Sequence, residues 1–453
     1  MKDMMNKQRD YFYTGETKSY SFRKKQLQQL KAMLKRYEDD IYQALRADLN
    51  KSKHEALITE LGILYTEIDF TLKHLKSWMA KQQVDAPYTH TGTKNAIIYE
   101  PYGTVLIIAP WNYPIQLAIA PMIGAIAAGN TIVLKPSEHS VHTSKLLAHM
   151  MQTTFDANYI TVVEGDKEVS DQLLNERFDY IFFTGSTNVG KIIMKKASEH
   201  LTPVTLELGG KSPAIVNRDS HIKYTAKRLV WGKFTNAGQT CVATDYVYVH
   251  VDIYPKLVKE MKKQITKLYG KHPLANKDYV KIINKQHFNR LKKLLDNGTI
   301  IAGGKVDEKQ LKIAPTLVED ITWYDPIMQD EIFGPILPMM PFKKIDDVIY
   351  NIQQQEKPLA LYYFGNNNKE IENVLDTLSF GGGCINDTLY HLANPHLPFG
   401  GVGASGMGAY HGKASFTTFS HQKSVLKQTT AVDIPVRYPG GKLAYNIAKK
   451  IFK

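Results

Sequence analysis

From Pro101 to Leu134 the chain runs for 34 residues without one charged side chain, and few folds can accommodate such a segment. It is longer than the roughly 20 apolar residues that cross a bilayer as a helix. However, Pro110, Asn112, Pro114, Pro121 and Asn130 punctuate it. Proline removes a helical N–H donor and drives the preceding residue away from the α region, so one continuous spanning helix is disfavoured. The segment instead predicts a buried strand over Thr104–Ala109, a turn over Pro110–Pro114, a buried helix over Ile115–Ala128 and a second strand over Thr131–Lys135. Strands buried on both faces read as unbroken apolar runs, and such strands belong to parallel sheets.

The same pattern recurs in TVLIIA, TIVLK, YITVVE, YIFFT, VTLEL and AIV, and resumes after Cys241 with YVYVHV. Helical patterns separate the runs, which is the arrangement of an α/β fold. Upstream, Leu27, Leu30, Leu34, Tyr37, Ile41 and Leu45 recur every three or four residues and predict one amphipathic helix over 19–49. A second helix is expected over Lys53–Met79. Residues 80–101, polar and then β-prone, read as an excursion from the first domain. No repeat or low-complexity linker divides the chain, so the domains are expected to interleave.

Two cysteines, Cys241 and Cys384, are too few for a disulfide framework and suit a reducing, cytoplasmic setting. No paired CxxC, HExxH or EF-hand pattern indicates a metal. MKDMMNKQRDYFY carries charges where a signal peptide needs an apolar core, so secretion is not expected. The net charge of +13 leaves an anionic cofactor, a membrane or a nucleic acid open as partners. Its distribution narrows the choice, because residues 1–50 carry +4, residues 421–453 carry +6, and the 370 residues between only +3. A diffuse nucleic-acid-binding body is therefore not expected. Leu443, Ile447 and Ile451 fall at helical spacing among lysines in the tail, which suits either an anionic surface or packing on the protein itself.

Four sites carry candidate chemistry. Cys241 ends Phe234-Thr-Asn-Ala-Gly-Gln-Thr-Cys241. It is either a small buried hydrophobe or, with Gly238 exposing nearby N–H groups, a thiol favoured as thiolate. Cys384 lacks such surroundings and reads as structural. Glu207 ends an apolar strand before two glycines. It is either paired with Lys211 or raised in pKa by burial toward the range of a general base. Asn112, at a strand end, is a turn residue or an amide donor for an oxyanion. Gly185, Ser186 and Gly190 lie where a strand passes into a helix, a place where N–H groups can meet phosphate.

Taken together, PWNYP, KPSE, FTGS, ELGGK, FTNAGQTC, EIFGP and LPFGGVGASGMG, in this order, resemble the aldehyde dehydrogenase superfamily over nearly the whole chain. Tyr410–His421 and Arg437-Tyr-Pro439 resemble its class 3, the fatty and aromatic aldehyde branch. The resemblance implies Cys241 as nucleophile, Glu207 as base, and Asn112 with the Cys241 N–H as oxyanion donors. It implies Lys135 and Glu138 at the adenosine ribose, and Gly185, Ser186 and Gly190 at the pyrophosphate. Glu331 and Phe333 would position the nicotinamide ribose and ring. It implies no metal. The implied fold is a parallel-sheet cofactor domain (1–79 and 102–206), an α/β catalytic domain (207–418), a small bridging sheet (80–101 and 419–433) and a basic tail (434–453).

The expected reaction is oxidation of a lipophilic aldehyde, long-chain aliphatic, aromatic or terpenoid-derived, to its acid. Glu138 favours NAD, since a carboxylate receives ribose hydroxyls and repels a 2′-phosphate; NADP remains open. Trp111, Tyr113 and Tyr65 are expected to line an apolar tunnel. A homodimer and peripheral membrane contact through the tail are further expectations. The competing readings are a CoA-acylating dehydrogenase and a non-enzymatic basic binder.

Overall fold

The computed structural model describes residues 1–431 and 433–452. Val432, within the expected bridging segment, and Lys453, at the end of the tail, lie outside the described residues. The charge-free segment folds as its breakers predict: strand Thr104–Ile108, helix Gln116–Ala128 and strand Thr131–Lys135. Every residue of that helix is buried, which is why it needs no polar face. Among the described residues no helix is long and apolar enough to cross a membrane.

Two sheets dominate. The first runs Gly406–Met407, Val204–Glu207, Tyr180–Thr184, Thr104–Ile108, Thr131–Lys135, Ile160–Val162, parallel except at the Gly406–Met407 edge. The second runs Thr299–Ala302, Thr316–Glu319, Ile336–Phe342, Tyr246–His250, Pro213–Val216, Ala360–Phe364, Gly382–Ile385, and is antiparallel only at its first pair. A third, three-stranded antiparallel sheet joins Gln82–Val84, Thr93–Pro101 and Ser420–Gln428.

Two expectations need correction. The helix expected over 19–49 is two helices, Tyr20–Arg36 and Glu38–Leu49. Tyr37 leaves the helical region (φ −99°, ψ 14°), and Glu38, Asp39 and Asp40 then form an acidic first turn that complements the new helix dipole. The Lys53–Met79 stretch is helical as expected, from Lys53 to Trp78, with a π-helical turn over Leu57–Leu61 before the Gly62–Trp78 helix. Gly406–Met407, expected within the catalytic segment 207–418, pairs with Val204–Glu207 and so returns to the first sheet.

Candidate active site

The C-terminal edge of the first sheet faces the N-terminal edge of the second. Trp111 and Asn112 follow the Thr104–Ile108 strand, Gly185 and Ser186 follow Tyr180–Thr184, and Glu207 ends its own strand. Opposite them, Lys211 and Glu331-Ile-Phe333 precede the strands Pro213–Val216 and Ile336–Phe342. Between the two edges lies a cleft of ≈ 620 Å³ lined by Asn112, Ser186, Glu207, Cys241, Glu331 and Phe333, among others. The strands Thr131–Lys135 and Tyr180–Thr184 flank Thr104–Ile108 on opposite sides, so the cleft opens where the strand order reverses, the usual ligand position in such sheets.

Cys241 follows a loop in which Asn236, Ala237 and Gly238 all adopt left-handed φ (53°, 52° and 72°). Gly238 has no alternative residue there, because a Cβ would lie 2.3 Å from the Gly334 carbonyl oxygen. Such a run is costly outside glycine and persists where surrounding contacts impose it. Here the Asn236 side chain donates to the carbonyl oxygens of Asn112 (2.9 Å) and Gln239 (3.1 Å). Asn112 Nδ2 donates to Gln239 O at 3.1 Å, leaving its second N–H uncommitted to that bond.

The expectation that the surroundings of Cys241 favour thiolate is not met. Burial, followed by the charges of Glu331 and Glu207, pushes the thiol up to about 12, against the opposing pull of the Val242 and Cys241 backbone N–H groups. Glu207 does not pair with Lys211 either. Lys211 Nζ turns to Asp245 Oδ2 (2.6 Å) and to the Ile327 carbonyl oxygen (2.8 Å). Both Glu207 carboxyl oxygens are buried without a protein partner, and burial holds this carboxyl well above its ordinary range. Burial therefore acts against the charged form of both the Cys241 thiol and the Glu207 carboxyl.

On the cofactor side, Ser186 caps the Thr187–Ser198 helix by accepting from the Val189 N–H, and both Ser186 and Gly185 line the cleft. Gly190 does not face it. This glycine serves packing, since a Cβ there would lie 2.6 Å from Leu208 Cδ2. Lys135 Nζ donates to Glu138 Oε2 at 3.2 Å. Burial, which would raise the Glu138 carboxyl, is outweighed by its own backbone N–H and by Lys135, so it sits below the usual range. Burial and Asp245 push the Glu331 carboxyl up to about 8, against the opposing pull of the Gly210 backbone N–H. Phe333, at φ 49°, sets its ring edge-on to Trp111 with centroids 5.4 Å apart.

Of the three aromatics expected along one tunnel, only Trp111 lines this cleft. Tyr113 is buried with its hydroxyl 2.7 Å from Thr240 Oγ1, and Tyr65 turns away to donate to Glu38 Oε2. Cys384 lies 3.5 Å from His391 Nδ1, outside the cleft lining. Sequence reasoning missed His287 and Arg290 on the Lys285–Leu294 helix, and both line the cleft. Arg290 donates to the carbonyl oxygens of Glu331 and Ile332, holding the EIFGP loop. Their helix reads as an ordinary amphipathic surface element, so no local signal marks them. Among the described residues no acidic, histidine and cysteine cluster could hold a metal.

The family model for the aldehyde dehydrogenase family matches residues 2–425. The chain belongs to this family. It is an aldehyde dehydrogenase, an enzyme that oxidises aldehydes, and its relatives support the class 3-like placement. The 4,4'-diaponeurosporen-aldehyde dehydrogenase of Staphylococcus aureus is 49% identical over 445 residues, covering 98% of this chain and 97% of that one. Aldehyde dehydrogenase family 3 member B1 of Mus musculus is 44% identical over 440 residues, covering 97% and 94%. A solved structure described as the substrate-bound state of Staphylococcus aureus AldH superposes with a TM-score of 0.98 at 48% identity, covering 100% of this aldehyde dehydrogenase and 99% of that chain. The family uses NAD or NADP.

Proposed function

We propose that this aldehyde dehydrogenase converts lipophilic aldehydes to carboxylic acids with Cys241 as nucleophile, Glu207 as base and Asn112 as oxyanion donor. The observation that carries the reading is the convergence of these three side chains with Glu331 and Phe333 on one cleft. Neighbouring residues fit a nicotinamide dinucleotide. Ser186 and the N-terminus of the Thr187–Ser198 helix suit its phosphates, Lys135 and Glu138 a ribose, and Glu331 and Phe333 the nicotinamide end. When bound, that cofactor supplies the oxidant, taking a hydride from the substrate carbon, and brings a positive ring charge into the cleft.

Cys241 Sγ releases its proton to water in the cleft and bonds to the carbonyl carbon, and the oxyanion accepts from the Asn112 amide and the Cys241 N–H. Loss of hydride leaves a thioester at Cys241. Glu207, acting as the carboxylate, takes a proton from water whose oxygen attacks the thioester carbon. The C–S bond breaks, the acid leaves, and the Cys241 thiolate takes back a proton from Glu207, which restores both groups. A buried carboxyl with no protein partner is suited to this exchange, because no ion pair has to be broken first. The same feature favours hydrolysis over transfer of the acyl group to CoA.

For substrate, the support is the relative named for 4,4'-diaponeurosporen-aldehyde together with the class 3 likeness. Glu138 favours NAD over NADP by repelling a 2′-phosphate. Cofactor reduction followed by absorbance over aldehydes of increasing chain length, with and without CoA, tests substrate and acyl acceptor together. Falling kcat/KM from short to long chains overturns the lipophilic assignment, and CoA-dependent turnover overturns hydrolysis. A homodimer is proposed, with sedimentation velocity as its check.

The Lys442–Phe452 helix buries no residue, and Leu443, Tyr445 and Phe452 are exposed beside Lys442, Lys449 and Lys450. A cytoplasmic enzyme with this tail would meet an anionic membrane face, where lipophilic aldehydes partition. Co-sedimentation with phosphatidylglycerol vesicles is expected for the full chain and lost when it ends at Gly441. Equal binding by both clears the tail of the role.

A further inference from the structure

Behind the cleft, three charged side chains meet the two loops that carry Asn112 and Cys241. Lys51 and Glu60 are completely buried, with Lys51 Nζ 2.6 Å from Glu60 Oε1. The other carboxyl oxygen, Glu60 Oε2, accepts from the backbone N–H groups of Ile115 (2.9 Å) and Gln116 (3.2 Å). These groups open the Gln116–Ala128 helix, which has no side-chain cap of its own. A remote carboxylate therefore takes over the capping of the helix that follows Asn112. Lys51 Nζ also reaches the Asn112 carbonyl oxygen at 3.4 Å and lies 4.3 Å from the centre of the Tyr113 ring. Glu55 completes the group by accepting from the Asn236 N–H at 2.7 Å, and the Asn236 side chain bonds the same Asn112 carbonyl.

An ion pair at complete burial is a poor source of stability, because lost hydration offsets most of the attraction and apolar residues of similar size do as well. Its retention calls for a geometric reason. Glu60 lies in the π-helical turn Leu57–Leu61, an irregularity that re-aims side chains and recurs at functional sites. Neither Lys51 nor Glu60 lines the cleft, so neither can touch substrate or cofactor there.

We propose that Lys51 and Glu60 are positioning residues for the oxyanion donor: the pair pins the Asn112 carbonyl and the start of the following helix, and so aims the Asn112 side-chain amide. This rests on the reading of Asn112 as that donor. The angular tolerance of a hydrogen-bond donor is narrow, and displacing it by about 1 Å costs up to about 100-fold in rate.

Glu60→Gln tests this, since glutamine keeps one oxygen for the helix N–H groups while removing the charge that holds Lys51. The variant is made alone and with Asn112→Ala, and kcat, cofactor binding by fluorescence titration and melting temperature are measured for each. Glu60→Gln is expected to lower kcat by about 10- to 100-fold with cofactor affinity unchanged. With Asn112→Ala in place, the further loss should be under about twofold, because no amide remains to be aimed. The neutral pair Lys51→Met/Glu60→Gln serves if the single variant fails to fold. A kcat within about twofold of the parent, an equal loss in both backgrounds, loss of cofactor affinity, or failure of both the single and the neutral-pair variant to fold overturns the proposal. A parental rate for Asn112→Ala alone also overturns it, but by removing Asn112 from the oxyanion site.

Discussion

Gly209→Ala separates the cost of a contact to the fold from its cost to the chemistry. A Cβ at this position would lie 2.0 Å from Glu331 Oε2 and 2.9 Å from Glu331 Cδ. Ordinary contact begins near 3.4 Å, so the carboxylate has to retreat by about 1.4 Å. The Glu331 backbone cannot follow, because Asp245 accepts from the Ile332 N–H at 3.1 Å and Arg290 bonds the Glu331 and Ile332 carbonyls. The side chain alone rotates and gives up the Gly210 N–H. An off-rotamer adjustment costs about 1 kcal/mol, a small part of total stability. A positioning group moved by more than 1 Å costs about 100-fold in rate. Gly209→Ala is therefore expected to melt close to the parent while kcat/KM falls by about two powers of ten. Steady-state cofactor reduction gives the second quantity and calorimetry the first. Truncating the obstructed group supplies the control: in a Glu331→Ala background the alanine at 209 should cost less than about twofold. Parental kinetics for Gly209→Ala, or an undiminished loss without the Glu331 carboxylate, refutes the reasoning.

Cys241→Ser is expected to abolish oxidation while leaving the cofactor titration intact, and turnover at the parental rate removes Cys241 as nucleophile. Asn112→Ala should lower kcat by about 100- to 1000-fold, and a change under about threefold takes it out of the oxyanion site. Glu207 also predicts a pH-dependent stability. Its folded pKa is raised above the ordinary 4.5, so the folded state keeps a proton that the unfolded chain releases, and this group's contribution to stability declines as pH rises above that value. Glu207→Gln lacks the penalty, so its gain in melting temperature over the parent should grow as pH rises above 4.5; a pH-independent difference contradicts the upward shift of a buried Glu207. Alkylation of the cofactor-free enzyme at Cys241 should keep accelerating past pH 9 without a plateau, since burial pushes the thiol up to about 12, and a plateau near pH 8 rejects that value.

Much of the fold was legible in the linear order. The strands Thr104–Ile108, Thr131–Lys135 and Tyr180–Thr184 announce themselves as unbroken apolar runs, since a strand covered on both faces needs no polar alternation. Breaks were harder to see. The Leu27-to-Leu45 periodicity continues across Tyr37, yet the backbone turns there, because apolar spacing specifies a buried face and not its straightness. Gly190, four residues past Ser186, and Gly209, two past Glu207, look alike in sequence. One makes room for Leu208 and the other for Glu331, and only the fold distinguishes packing from function.

The sequence by itself determined which residue types stand at the strand ends and loops: a thiol at 241, a carboxyl at 207, an amide at 112, each held within a short local pattern. Tertiary structure alone decided their chemical state. Lys211, four residues from Glu207, turns instead to Asp245, which leaves Glu207 unpaired; local donors beside Cys241 are outweighed by burial; and Lys51 and Glu60, remote from the motifs, meet the Asn112 loop. Hydrogen-bond and turn preferences act over a few residues and can be read in order. Desolvation and charge act through space, and their value at an atom depends on every element packed around it.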